Sequence, residues 1–523
     1  MPLTSQLHAH ASGGVMNKEP RGPDHSVDEI ELPVDPADLF VVLYDALPNW
    51  PFSSRTANKW FGDTRVQQRA ELVCKDVRRD GRADIDLVRN LIRQYGDQGM
   101  FAVLMGLDRA FENAGIYPGT IGEKTMSWLS RRYVNTNSLN SNTERTGLLL
   151  PRYTRPGKVM VELTGKPEFF SVHRVTPAAR EGIWHSGILH LEPRDFDRKQ
   201  AISIGAAPVL ESYLDLKFES PEGDDGIGLY RIAPDDGRLR PRIERVFQNL
   251  ENSGAQIGVL PECTLSNDLF KHWDTLLHND PPAASRLQWI LLGTGPIGST
   301  EPAEPPPNRA ILLDRETAQV LLWQDKMAGF TLGKGQAEDW QLPDRPKFEP
   351  AAEYISRGHQ VAVLETFLGR IAILICEDIK QNAAWLGKCQ ALGVSHIFVP
   401  LFASPISREV KRWALEAAEN CVEQLGAWVI LSNSLAVEEK MRTRPDFVAD
   451  DAYTCVVVGP SLPRPKKYAK TPAQFCRSAT AEETARVVCD EHGTPPVCDP
   501  GGQAPLPKVR CGPEPETETE TKS

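Results

Sequence analysis

Three short segments of this 523-residue chain each end an apolar run on a reactive side chain. They are Gly258-Val259-Leu260-Pro261-Glu262, Leu322-Trp323-Gln324-Asp325-Lys326 and Ile373-Leu374-Ile375-Cys376, the last followed by Glu377 and Asp378. In an α/β sheet, side chains at strand ends converge on a common crevice. A glutamate, a lysine and a cysteine meeting there supply a base, a cation and a nucleophile. A thiol of ordinary pKa is only a few per cent thiolate at neutral pH, so a neighbouring carboxylate must take its proton as it attacks. The same carboxylate can hand that proton to a leaving amine. The ammonium, with a backbone N–H beyond the cysteine, can hold the oxyanion of a tetrahedral intermediate. Such a site would attack an amide or nitrile carbon and pass through a thioester-type intermediate.

These segments resemble motifs of the nitrilase (carbon–nitrogen hydrolase) superfamily, over roughly half the chain. The family's glutamate motif is similar to Leu260-Pro261-Glu262 and its lysine motif to Trp323-Gln324-Asp325-Lys326. Its nucleophile motif is similar to Gly369-Arg370-Ile371 through Cys376-Glu377-Asp378. The spacings, 64 residues from Glu262 to Lys326 and 50 from Lys326 to Cys376, are of the family's size. The stretch from Gly393 to Pro400 resembles the strand after the nucleophile helix. Glu416-Ala417-Ala418-Glu419-Asn420 with Asn433 resembles a later helix and strand, although Ala417 departs from its usual opening. The resemblance implies an α-β-β-α sandwich and catalytic residues Glu262, Lys326 and Cys376. It also implies a second glutamate between the lysine and the cysteine; Glu349 is the choice, with Glu353 a near rival and Glu338 a weaker one. Glu377 stands where an aromatic residue is common, which bears on the substrate pocket. The resemblance further implies no metal or organic cofactor, and association into a homo-oligomer.

Each residue also has a plainer reading. Cys376 alone reads as a core cysteine, since free cysteine is among the most buried residue types. Glu262 alone reads as a helix-start carboxylate and Lys326 as a solvated strand end. The ordered spacing of all three outweighs those readings. Asp378 reads as structural, capping the helix after the nucleophile, rather than as a participant in the chemistry. Cys476, Cys489, Cys498 and Cys511, with His492, invite a metal reading, but no Cys-x-x-Cys knuckle occurs among them. They read instead as unpaired thiols of the C-terminal tail.

The elements that would carry the site begin near residue 201, where strands and helices alternate. The first family strand falls near Ile202–Val209, followed by an acidic loop through Gly226. Ile243, Val246, Phe247 and Leu250 form one helix face, and Gln256–Leu260 follows as a buried strand. Trp289–Leu292, Ala310–Leu313 and Gln319–Trp323 read as further strands. Gln360–Glu365 and Arg370–Ile375 read as a hairpin closed at Leu368-Gly369. Beyond it come a helix at Asn382–Leu392, a strand at His396–Pro400, a helix at Arg408–Leu425 and a strand at Trp428–Ser432.

Upstream the pattern is helical. Val66, Ala70, Val73 and Val77 share a helix face; Ile85, Val88, Leu91, Ile92 and Tyr95 share another, with Asp84 as its N-cap. Met100–Phe111 reads as a third helix. The expected organisation is therefore a disordered terminus over 1–36, a helical accessory or adaptor domain over 37–135 and a connector with some β structure over 136–200. A carbon–nitrogen hydrolase domain follows over 201–465, then an irregular acidic tail over 466–523, whose last twelve residues hold four Glu and one Lys.

Bulk properties fit a soluble globular protein: 41% hydrophobic and 25% charged residues, with a formal charge of −11. That charge argues against a broad nucleic-acid-binding surface. No apolar run approaches the roughly 18 residues of a membrane span, and residues 1–36 lack a signal-peptide core. With ten cysteines and no export signal, a cytoplasmic location with reduced thiols is expected. The favoured expectation is a hydrolase of a small-molecule amide, ahead of a nitrile. The alternatives are a partner-recruited effector or degenerate scaffold, using the helical domain to bind a protein in signalling or defence, and an acyltransferase with the same triad.

Overall fold

A computed structural model of the chain describes residues 31–111, 148–151, 165–176, 181–187, 202–221, 228–298, 305–333, 335, 350–366, 368–380, 385–408, 412–442, 452–459, 473–489 and 499–500. Its first six helices are α1 (Pro36–Ala46), α2 (Trp50–Ser53), α3 (Thr56–Gly62), α4 (Thr64–Asp80), α5 (Ile85–Tyr95) and α6 (Asp97–Phe111). Periodicity places them as expected: α4 buries Val66, Ala70, Val73 and Val77, and Asp84 caps α5 by accepting from the N–H groups of Asp86 and Leu87. Gly106 lets α6 lie against α4, since a Cβ there would come within 2.5 Å of the Ala70 carbonyl oxygen. The antiparallel pair β1 (Leu148–Pro151) and β2 (Val172–Val175) closes this unit. Leu149 and Val172 join the helical core, whereas Leu150 and Val175 join the core of the sandwich that follows.

That sandwich is built from β3 (Ile183–Gly187), β4 (Ile202–Ala206), β5 (Leu216–Glu219), β6 (Gly228–Pro234), β7 (Ile257–Val259), β8 (Trp289–Pro296), β9 (Asn308–Asp314) and β10 (Val320–Asp325). It continues with β11 (Thr331–Leu332), β12 (Ala351–Glu353), β13 (Val361–Thr366), β14 (Gly369–Ile373), β15 (His396–Pro400) and β16 (Trp428–Ser432). β17 (Cys455–Val458), β18 (Ala473–Cys476), β19 (Ala485–Cys489) and β20 (Asp499–Pro500) complete it. The interleaved helices are α7 (Asp236–Asn252), α8 (Asn267–Leu277), α9 (Gly387–Leu392), α10 (Trp413–Leu425) and α11 (Ala436–Met441).

Two seven-stranded sheets result, in the orders β10-β9-β8-β7-β4-β19-β20 and β18-β17-β16-β15-β14-β13-β3. Alternation along the strands assigns the layers. In the first sheet Ile204, Ile257, Val259, Trp289, Leu291, Ala310 and Leu312 share a core with Val429, Leu431 and Ile373 of the second. The intervening residues Ile290, Leu292, Ile311 and Leu313 pack with Ile243, Val246 and Leu250 of α7 and with Leu269 and Trp273 of α8. On the second sheet Ala414, Ala418, Cys421 and Val422 of α10 join the core of β15 and β16. The order of layers is α-β-β-α, the architecture the resemblance implies. Each fully buried aliphatic side chain in these layers contributes ~1.5–3 kcal/mol.

Several expectations need adjustment. β3 pairs with β13 in the second sheet, so the sandwich recruits chain upstream of residue 201. The stretch expected to be an irregular tail from 466 supplies β18 and β19. β19 lies inside the first sheet, antiparallel to β4, with Val487 opposite Ile204. These strands are four and five residues long, broken by Gln474 and Arg486, and their partners are distant in sequence. No local pattern marks them. Cys476 is consequently a buried strand residue. The acidic segment after β4 includes a hairpin, β5–β6, that forms a separate four-stranded sheet with β12 and β11. The expectations for residues 1–30, 112–147, 299–304, His492, Cys498, Cys511 and 512–523 lie outside the described residues. Among the described residues no helix is long and apolar enough to cross a membrane, and no cluster of His, Cys, Asp or Glu suited to a metal ion occurs.

Candidate active site

The strand ends do converge. Glu262 follows β7 by three residues, Lys326 follows β10 directly, and Cys376 opens a 3-10 turn (Cys376–Lys380) after β14. All three are buried, at 2%, 2% and 6% exposure. Lys326 Nζ donates to Glu262 Oε1 at 2.8 Å and to Glu353 Oε2 at 2.7 Å. Cys376 Sγ lies 4.0 Å from the Phe402 carbonyl oxygen, and the Phe402 N–H donates to Glu262 Oε2 at 3.1 Å. Phe402, just beyond β15, thus touches both the thiol and the carboxylate. Glu262 Oε1 takes the ammonium, and Oε2 takes the Phe402 N–H.

Backbone geometry fixes the thiol. Cys376 has φ +47°, a left-handed conformation that non-glycine residues seldom adopt and that is strained at functional turns. Cys263, next to Glu262, has φ +66°. Both reactive side chains therefore sit on sharp departures from their strands. The Glu262 turn is wedged against β8. Gly293 (φ +79°) would carry a Cβ 2.1 Å from the Pro261 carbonyl oxygen, and a Cβ on Gly295 would fall 1.6 Å from that of Leu265. Asp378 ties the lysine to the cysteine. Its carboxylate accepts from Ala328 N–H at 2.7 Å, Met327 N–H at 3.1 Å and Ile375 N–H at 3.1 Å. The cap expected of Asp378 thus reaches across to the loop after β10.

Of the expected glutamates, Glu349 and Glu338 lie outside the described residues. Glu353, the rival, is the one beside Lys326. It ends β12, opposite Tyr230 of β6, and its Oε2 also accepts from Phe330 N–H at 2.9 Å. Asn308, at the start of β9, donates from Nδ2 to Glu262 Oε1 at 2.9 Å and to Glu353 Oε1 at 3.3 Å. Sequence reasoning missed Asn308 and Tyr230. Each lies in the chain far from the residues it serves, and neither ends an apolar run.

Burial is the largest influence on these groups. It pushes Glu262 above the ordinary carboxylate range, with Glu353 adding to the shift and Lys326 opposing it. Burial likewise pushes the Cys376 thiol well up, and the Glu262 charge pushes it further. For Lys326 burial pulls downward, but the two carboxylates outweigh it and hold the ammonium firmly protonated. The site therefore gathers a thiol, an ammonium and two glutamate side chains. Moving a proton from Sγ to Glu262 would leave the net charge of this cluster unchanged. That makes coupled transfer far less costly than creating a bare thiolate.

No protein-family model and no curated protein sequence matches the chain. Among solved structures, Saccharomyces cerevisiae Nit3, a member of branch 10 of the nitrilase superfamily, is similar at 16% identity and a TM-score of 0.34, covering 56% of this chain and 92% of its own. A nitrilase-superfamily amidase from Nesterenkonia shows 12% identity and a TM-score of 0.34, covering 56% of this chain and 93% of its own. The C. elegans NitFhit protein shows 13% identity and a TM-score of 0.36, covering 56% and 61%.

Proposed function

We propose that this chain hydrolyses a non-peptide C–N bond of a small amide, with Cys376 as nucleophile, Glu262 as general base and acid, and Lys326 as oxyanion stabiliser. The observation that carries this reading is Lys326 Nζ held between Glu262 and Glu353 beside the Cys376 turn. As Sγ bonds to the carbonyl carbon, its proton passes to Glu262. The electron pair displaced onto oxygen is met by the Lys326 ammonium and the Glu377 N–H. Collapse of the intermediate breaks the C–N bond, Glu262 returns the proton to the leaving nitrogen, and a thioester remains. Water, deprotonated by Glu262, then attacks the thioester and frees the carboxylic acid and the thiol.

The raised proton affinity of Glu262 suits this double role, because a carboxylate closer to neutrality gives and takes a proton more readily. In acylation an amide takes the returned proton on its leaving nitrogen, whereas a nitrile takes it on the nitrogen kept in a thioimidate. Glu353 shares the ammonium with Glu262 and anchors it through the Phe330 N–H. The test is ammonia release from a panel of small amides and nitriles. Turnover by the wild type that Cys376→Ala abolishes supports the reading; equal release by both proteins removes it.

A further inference from the structure

Asn308 touches three members of the constellation. Its backbone carbonyl accepts the Lys326 N–H at 2.8 Å, and its Nδ2 donates to Glu262 at 2.9 Å and to Glu353 at 3.3 Å. The residue is 6% exposed, and its Oδ1 is buried with no hydrogen-bond partner among the described residues. An unpaired buried amide oxygen is costly. Turning the amide over would set Oδ1 against two carboxylates, which is worse, so electrostatics fixes the orientation. The side chain accepts an orphaned acceptor in order to place its donors.

We propose that Asn308 is a positioning residue of this site: with Lys326 it saturates Glu262 Oε1, leaving Oε2 as the oxygen that takes the Cys376 proton. The inference rests on Glu262 acting as the base. The groups facing Glu262 are Lys326 from the end of β10, Glu353 from β12, Cys376 from the turn after β14, Cys263 from its own turn and Tyr230 from β6. Among these only Lys326 is a cation, and it is shared with Glu353. A neutral donor lost from Oε1 therefore finds no substitute, and the proton affinity of Glu262 must rise.

The experiment is a carbon-13 NMR titration of the full-length chain labelled at glutamate δ-carbons, the Glu262 signal being the one lost in Glu262→Gln. In Asn308→Ala the Glu262 midpoint is expected to rise by about one pH unit, the usual scale for losing one donor to a buried carboxylate. In Asn308→Asp, which adds a third carboxylate, it rises further. Should Asn308→Ala fail to fold, Asn308→Ser keeps one hydroxyl donor and is expected to show a smaller rise in the same direction. An unchanged midpoint in the folded variants, with only a lowered Tm, overturns the proposal. The readout needs no substrate, so it separates from the hydrolase reading. A moved midpoint with no amide turned over counts against the hydrolase alone; turnover with an unmoved midpoint counts against Asn308 alone.

Discussion

Lys326 is the residue on which the site's electrostatics turns, since among the described residues it is the cation held by both Glu262 at 2.8 Å and Glu353 at 2.7 Å. Lys326→Met leaves both uncompensated. It is expected to destabilise the protein by about 3–5 kcal/mol, read as a lower Tm, and to abolish turnover. Asp378 makes a prediction of opposite character. Burial pushes its carboxyl up to about 7, against the pull of three N–H donors. The unfolded chain releases that proton near pH 4, so between about pH 4 and pH 7 the folded state binds the extra proton and stability falls as pH rises. Asp378→Asn should lower Tm throughout, by orphaning an N–H, and flatten that slope; a slope equal to wild type contradicts the assignment. Glu262, Lys326 and Cys376 were legible because each ends an apolar run. Glu353 could not be told from Glu349, because neither lies in a periodic segment; Glu353 is placed by the pairing of β12 with β6 and by its bond to Lys326.

Elements position these side chains through close approach. β8 presses Gly293 and Gly295 against the 261–265 turn that carries Glu262. Gly295→Ala touches no reactive group, yet its Cβ would need the space of the Leu265 carbonyl. It is expected to cost about 3 kcal/mol or more and to lower kcat with the turn displaced. Retention of full kcat and Tm would show that the turn is free to shift. The hairpin β13–β14 was legible from two short apolar runs on either side of the Leu368-Gly369 turn. Gly369 (φ +139°) also admits Ser395 Oγ at 2.0 Å from the Cβ position, a long-range reason the sequence does not display. The β5–β6 hairpin was illegible for a related reason: its partner, β12, lies more than a hundred residues downstream.

For the whole molecule, the expected boundary at 465 matters most. β19 pairs with β4 inside the first sheet, and β18 extends the second. A chain truncated after residue 465 loses strands from both sheets and exposes the apolar edge of β4. It is expected to be insoluble or to lose cooperative unfolding, checked by solubility and calorimetry. A soluble, cooperatively folding truncation would contradict the topology. The N-terminal helices have a core of their own, joined to the sandwich through the two faces of β1–β2.

The central claim is that Glu262 activates Cys376 within this buried site. Its most direct measurement is the rate of iodoacetamide labelling at each cysteine of the full-length chain near neutral pH, mapped by peptide mass spectrometry in wild type and Glu262→Gln. Cys376 is expected to label fastest in the wild type and at least ~100-fold more slowly in Glu262→Gln, the scale of one general base. Cys376 labelling at the same rate in both proteins, or no faster than Cys389 and Cys421, contradicts the claim.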